Sequence, residues 1–391
     1  MRKPRFAAVA SHPIQYYAPF FRTLASRVDL HVFFGQRLTP AQQANAGFDT
    51  PFDWDVDLLS GYASTFLTNV AARPGPDHFF GSDTPEIGAL LRSGDFDALL
   101  VFGWYLKTFV QTTWAAKRLG LPVLVRGDSQ LATPRGPAIR AAKAIAYPPL
   151  LRAFDAALYV GQRSRAYYEH YHYPANRLFF SPHCVDTAWF AARATAEAGC
   201  ALRTRLRIAP EDKVVLFAGK LLPFKRPLDV VEACAETPSV HVVVAGSGEL
   251  DAPLRARAGA LGVRLHSLGF LNQTQMPAAY AAADVLVLPS TGRESWGLVA
   301  NEALACGTPI IVSDAVGCAP DLAADGATGG VFPLGDIASL RQTIQVMLSA
   351  PPSREAIAAR SDAYGLAAAA DGVEAAVAAV RRRSGARAIR G

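Results

Sequence analysis

Cysteine is scarce in this sequence, and its positions form no pattern. Cys184, Cys200, Cys234, Cys306 and Cys318 are odd in number and widely spaced, with no C-x-x-C among them. That excludes a disulfide framework and a zinc site, and it suits a reducing cytoplasm. Long apolar runs are missing too. No stretch approaches 18 uninterrupted apolar residues, so no membrane span is expected. The run at residues 6–10 is too short for a signal-peptide core and reads as a first strand. Excess charge is small. The formal net charge is +6, and much of it lies in "RRRSGARAIR", residues 381–390, so the globular part is closer to neutral. The tail reads as solvated, or else as a peripheral contact with an anionic membrane surface. No nucleic-acid partner is expected. A dinucleotide fingerprint is also absent: nothing glycine-rich follows residues 6–10, and "GSGEL" at 246–250 lacks the third glycine.

What is present is a strand-and-helix alternation running through 391 residues, too many for one ordinary core. In the first half, strands are expected at residues 6–10, 30–34, 99–102, 123–126, 157–160 and 178–180, with helices at 17–25 and 108–119. In the second half, strands are expected at 214–217, 240–245, 264–268, 285–288, 310–312 and around Val331, with helices at 227–235, 250–260, 275–282 and 297–305. This order predicts an α/β protein of two doubly wound, Rossmann-like domains facing a central cleft. The expected boundaries are 1–184, 185–365 and a closing helix with its basic tail at 366–391. A stretch at 38–85, rich in Pro, Gly, Asp and aromatics, breaks the rhythm of the first domain and reads as a functional or mobile insert. Sheets of this kind bind ligands beyond the carboxyl ends of their strands.

Chemistry-bearing residues collect at those strand ends. In "STGRESWGLVANEALACGTPIIVSD", Glu294 and Glu302 stand either side of a helix start at Gly297. The free N–H groups there make an anion site. Eight residues of helix span about 12 Å, too far for two acids to flank one bond but suited to gripping two parts of an extended ligand. The alternative is helix capping plus an exposed charge. In "FAGKLLPFKRPLDVVEA", a strand ends at Gly219, Lys220 and Lys225 bracket a tight loop, and Pro227 opens a helix. Two cations beside a helix start would neutralise a diphosphate leaving group. A solvated basic cluster is the plainer reading. Asp55-Val56-Asp57 has the form of a D-x-D metal motif but sits among other acids in the insert. It reads as loop chemistry, and no metal is expected. In the first domain, His12 and Gln15 follow the first strand, and Trp104, Arg126 and Asp128 close later ones, so all five are candidates for the cleft wall.

Together these residues resemble the GT-B glycosyltransferases, specifically the large retaining family numbered 4. The carriers are the E-x7-E pair Glu294–Glu302, the Gly219-Lys220-…-Lys225 loop, "AAYAAADVLVLPS" and "EALACGTPIIVSD". In the first domain, "SHPIQYYAPFF", "WDVDLLSGY" and "GQRSRAYYEHY" are similar to bacterial members that build surface polysaccharides. The resemblance implies a donor site in which Lys220, Lys225 and the backbone N–H groups of Trp296, Gly297 and Leu298 hold a nucleotide diphosphate. Ser295 falls in the same turn. Glu294 would meet the donor sugar, Glu302 the ribose, and Leu271 and Asn272 the base. Catalysis would centre on Glu294, Lys225 and Lys220. The donor would be a UDP- or GDP-sugar, with no cofactor required, and the acceptor a glycan or polyprenyl-linked glycan. Transfer would retain configuration, with a donor phosphate oxygen accepting the acceptor's proton. The last helix would cross back onto the first domain. Three places depart from the family pattern: Ser11-His12-Pro13 stands for a glycine-rich loop, Pro182-His183-Cys184-Val185-Asp186 stands for Pro-Asn-Gly-Val-Asp, and the family's N-domain histidine has no matching position, with Trp104, Arg126 or His12 nearby. Two other readings of the same fold are a sugar-nucleotide epimerase or phosphorylase and a non-catalytic nucleotide-sugar-binding protein.

Overall fold

The structure, a computed structural model, describes residues 3–44, 50–235, 237 and 239–388. Residues 45–49 of the insert and 389–391 of the basic tail lie outside it. Among the described residues the chain builds two sheets, each with every pairing parallel. The first contains β1 (Arg5–Ala10), β2 (Asp29–Phe34), β3 (Ala63–Phe66), β4 (Ala98–Val101), β5 (Val123–Gly127), β6 (Ala156–Tyr159) and β7 (Leu178–Phe180). Their order is β3-β2-β1-β4-β5-β6-β7. The second contains β8 (Lys213–Ala218), β9 (Val240–Ala245), β10 (Arg264–Gly269), β11 (Val285–Leu288), β12 (Ile310–Ser313) and β13 (Gly329–Phe332), in the order β10-β9-β8-β11-β12-β13.

The central strands are short runs of Val, Leu, Ile and Ala that are buried along almost their whole length, as parallel strands covered by helices on both faces must be. The strand order reverses between β1 and β4 in one sheet and between β8 and β11 in the other. Each reversal leaves a crevice beyond the strands' carboxyl ends. Ser11 and Trp104 follow β1 and β4. Gly219 and the 290–297 loop follow β8 and β11. The two crevices open onto one another, and that places the site.

The expected fold class stands, and the expected strands are found with ends shifted by a residue or two. β3 was not anticipated, nor were the helices Ile87–Ser93, Pro137–Arg152 and Gln162–His170. The last helix, Leu366–Ala388, packs Ala369, Ala370, Val373, Ala376, Val377 and Val380 into the core of the first sheet's domain. Arg27 clamps it, reaching Asp371 and, at 2.9 Å, Glu374. The stretch Arg354–Arg383 therefore has the length and hydropathy of a membrane span, yet half of its apolar window is buried inside the protein. The basic tail is likewise not simply solvated. Arg383 donates to the Asn176 carbonyl at 2.7 Å, and Arg381 lies 4.0 Å from Asp97.

Candidate active site

The C-terminal wall of the cleft is made by the two loops after β8 and β11. After Gly219 the chain turns through Pro223–Lys225 and brings the Lys225 amine back onto Glu294 in a direct ion pair. Both side chains are mostly covered, at 12% and 15% exposure. Lys220 lies beside them. Burial lowers its pKa, the Lys225 charge lowers it further, and Glu294 works against both. Sequence reasoning assigned Lys225 and Glu294 to different parts of a ligand. The structure shows them holding each other, so an incoming anion must compete for Lys225.

Gly297 then turns the chain into the helix Leu298–Ala305 with φ at +98°. A side chain there would be strained, and its Cβ would stand 2.6 Å from the Leu288 methyl. Ser295, Trp296, Gly297 and Leu298 all border a cavity of about 450 Å³ between the domains. The Trp296 indole is tucked in, donating to Asn301 Oδ1 at 2.7 Å and stacking on Tyr364. Glu302, about one turn into that helix, accepts the Tyr280 hydroxyl at 2.6 Å. Burial raises its carboxyl to about 7, with the Tyr280 hydrogen bond opposing. It is no exposed surface charge. It borders a second, narrower cavity with Gln15, Tyr16, Asp186 and Gln273. The two acids of the E-x7-E pair thus open onto different spaces, separated by the helix start.

Of the five residues expected on the N-terminal wall, Trp104, Arg126 and Asp128 border the large cavity, Gln15 a narrower one and His12 neither. Trp104 lines the large cavity and stands among Tyr147, Tyr167 and Tyr168. Arg126 lines the cavity. Burial raises the Tyr16 hydroxyl and lowers the His183 ring there, and the Arg126 charge opposes the first shift and adds to the second. Its guanidinium donates to the Pro182 carbonyl at 2.5 Å and packs over Phe20, where it fixes the junction between the domains. His12 borders neither cavity. Ser11 does, while the His12 ring bonds to the Ser11 hydroxyl at 3.0 Å and burial lowers its pKa to about 4. Gln15 belongs to the narrow cavity, where its side-chain oxygen is buried with no partner among the described residues. Asp128 faces Ser295 across the cleft, accepting its hydroxyl, and the His183 ring stands 3.7 Å away. Burial acts to raise the Asp128 carboxyl, but these neighbours outweigh it and hold it at about 2.

Three residues were missed. His183 lines the cavity from the domain junction. The signal was its place in Pro182-His183-Cys184-Val185-Asp186, where the family pattern has an asparagine. Gln130, buried, donates from the first domain to the Gly292 and Glu294 carbonyls at 3.1 and 2.8 Å. Arg163 bonds Gln130 at 3.1 Å and the Ala315 carbonyl at 3.1 Å. These contacts hold the Glu294 loop against the first domain. No local sequence pattern marks either residue.

The insert also reaches across. Asp55 binds the Thr274 hydroxyl and N–H, the Asn272 amide donates to the Asp53 carbonyl at 2.7 Å, and Phe52 packs on Phe270 at 4.5 Å. Asp57 instead caps its own turn through the Leu59 and Ser60 N–H groups at 3.0 and 3.1 Å. The two acids of the D-x-D sequence therefore serve separate structural ends. Leu271 packs half-buried against the second domain's core under this flap.

Two α/β domains with facing switch points, a paired Lys–Glu at one helix start and a second acid eight residues on place the chain among known proteins. The fold is GT-B. HepE from Anabaena, solved in complex with UDP, superposes with a TM-score of 0.72 over 97% of this chain and 100% of that one, at 16% identity. Sucrose-phosphate synthase from Thermosynechococcus elongatus gives 0.68 over 99% and 100%, at 20% identity. Residues 201–363 match the family described as glycosyl transferases group 1. Over 160 residues the chain is 40% identical to D-inositol 3-phosphate glycosyltransferase of Mycobacterium sp. (strain KMS). That match covers 39% of this chain and 36% of the relative's length.

Proposed function

We propose that this GT-B protein is a retaining, metal-independent glycosyltransferase of family 4. It moves a sugar from a UDP- or GDP-sugar to a glycan or lipid-linked acceptor, in the cytoplasm and in bacterial surface-polysaccharide synthesis. The observation that carries the reading is the Lys225–Glu294 pair, with Lys220 beside it, at the Gly297 helix start. A donor diphosphate would take over Lys225 and the free N–H groups of the turn. Glu294, released from its lysine, would accept the donor sugar's hydroxyls, and Glu302 the ribose. The pair is thus a preformed site whose ligand replaces an internal contact, which limits reorganisation during reaction. The second domain's match to group 1 glycosyl transferases and the UDP bound by HepE favour this donor.

On the acceptor side, the carboxylate nearest the Glu294 loop is Asp128. Held at about 2, it is a poor proton acceptor at neutral pH. That favours front-face transfer, in which the donor's own phosphate oxygen takes the acceptor hydroxyl's proton as the glycosidic bond to phosphate breaks. The test is turnover of UDP-, GDP- and ADP-sugars with and without EDTA, with product anomers read by NMR. Retention with one nucleotide, unaffected by EDTA, is expected. No nucleotide release from any sugar nucleotide would sink the reading.

Peripheral membrane contact rests on the helix Pro137–Arg152 and not on the basic tail. Of its residues only Lys143 and Leu151 are buried, while Ile139 and Ile145 are 52% and 80% exposed. From residue 131 to 154 there are four cations and no acid. Apolar side chains set among cations suit an anionic lipid surface. Co-sedimentation with phosphatidylglycerol vesicles, lost in Ile139→Asp/Ile145→Asp, is expected. Equal sedimentation of the two forms would count against it.

A further inference from the structure

Lys143 is the one cation of its helix that turns inward. A lysine stem is long enough to carry its amine to solvent. Here the residue is only 9% exposed, with the amine 4.4 Å from the Tyr147 ring centre, 5.0 Å from Tyr167 and 5.8 Å from Tyr171. Among the described residues it has no hydrogen-bond or carboxylate partner, only these ring faces. Arg135, exposed on the loop before the helix, borders the same cavity. Burial, with the Arg135 charge adding to it, lowers the Lys143 amine to about 8. Of the cavity's two carboxylates, Glu294 is paired with Lys225, and Asp128, ionised beside Ser295 and His183, makes no ion pair with Lys143, whose only charged neighbour of effect is Arg135. One end of a concave, aromatic-lined space therefore carries two cations and no anion paired with Lys143. Tyrosine faces offset part of the cost of covering an amine, but a buried cation is most stable with an anion against it. The helix start proposed for the diphosphate borders the same cavity through Trp296, Gly297 and Leu298, while Lys220 and Lys225 do not line it, so the two anion positions are assigned to different residues of one cleft.

We infer that this pocket is an acceptor subsite for an anionic sugar: Lys143 and Arg135 hold a phosphate or carboxylate on the acceptor, and Trp104 and Tyr167 bound its ring. The inference rests on the glycosyltransferase reading for the word acceptor, though not for the anion. Its test is calorimetric titration of the full chain, with and without saturating UDP, using glucose, galactose and mannose as probes, each as free sugar, 6-phosphate and uronate. At least one anionic form should bind about tenfold or more tighter than its neutral sugar, the equivalent of one charge-assisted hydrogen bond. Lys143→Met and Arg135→Gln should each remove most of that preference and leave UDP affinity unchanged. Arg135 is exposed, so its variant reports even if Lys143→Met loosens the tyrosine cage. The 6-phosphate and uronate arms separate the two anions. Equal binding of charged and neutral forms, or a preference that survives both variants, overturns the inference. Intact UDP binding with no anion preference overturns it alone. Failure of UDP to bind overturns the donor reading instead.

Discussion

Replacing Glu302 by glutamine should make the ligand-free protein more stable at pH 8 and poorer at holding a nucleotide. The Glu302 carboxyl is raised by burial from the ordinary 4.5 to about 7, its Tyr280 hydrogen bond only partly opposing. The unfolded chain's glutamate titrates near the ordinary value. Between these two pH values the folded protein binds more protons than the unfolded, so stability falls as pH rises through the window and stays lower above it. At about 1.36 kcal/mol per pH unit, the cost at pH 8 is at most about 3 kcal/mol, less to the extent that the adjoining cavity admits water. Glutamine keeps a carbonyl for the Tyr280 hydroxyl and removes the charge. The melting temperature of the variant should therefore exceed wild type at pH 8 by several degrees, at roughly 2–4 °C per kcal/mol for a domain of this size, and converge with it near pH 5. Differential scanning fluorimetry from pH 5 to 8.5 without nucleotide reads this directly. Ribose hydroxyls need the ionised carboxylate, so wild-type affinity for the preferred nucleoside diphosphate should rise from pH 6 to 8 while the variant's stays flat and weaker. Two melting curves offset equally at every pH, or a variant less stable at pH 8, would refute the reasoning.

The Lys225–Glu294 pair should split under mutation. Glu294→Ala frees Lys225, so transfer should drop by about 10²-fold or more, as when a group that stabilises the transition state is lost, while UDP affinity holds or tightens. Lys225→Ala should weaken both, because it removes the phosphate partner and leaves Glu294 buried without its cation. Steady-state kinetics with UDP inhibition constants check the pattern, and equal losses of UDP affinity in the two variants would contradict it. Asp55→Ala removes the insert's hold on Thr274. The ligand-free protein should open, seen as a larger radius of gyration in solution scattering, with KM for the donor raised severalfold and kcat changed less. An unchanged radius and KM would show that the flap does not hold the domains.

The parallel sheets were legible because short Val- and Leu-rich runs bounded by Gly and Pro have few other folds open to them. The Glu294 helix start was legible for a local reason: its glycine, its acid and its stop at Gly307 lie within one short stretch. β3 was not, because it is a four-residue strand with two hydroxyl side chains, set inside the irregular insert at a sheet edge. The helix Pro137–Arg152 was hidden by Pro148 and Pro149 and by apolar residues that face outward and so follow no core periodicity. Strand ends were a fair guide to which segments border the cleft, but not to which side chains do. Arg126 and Asp128 lie two residues apart at the end of β5, yet one spends its donors on the domain junction and the other faces Ser295.

The functional contrast between the two walls follows from that difference. The C-terminal wall draws its charges from two loops after neighbouring strands of one sheet, each a compact local motif, so short-range spacing within each loop carries the information. The N-terminal wall is assembled from Ser11, Trp104, Asp128, Lys143 and His183, contributed by five separate segments. Their meeting depends on the packing of the first sheet's domain, and Gln130 and Arg163 then hold the Glu294 loop of the other wall against it. Under the proposed function, a donor would grip mainly the first kind of wall and an acceptor the second. A donor site of that kind would be legible from motifs, whereas acceptor choice would be written in long-range packing. Acceptor specificity should then change with substitutions at 135 and 143 that leave every donor motif untouched.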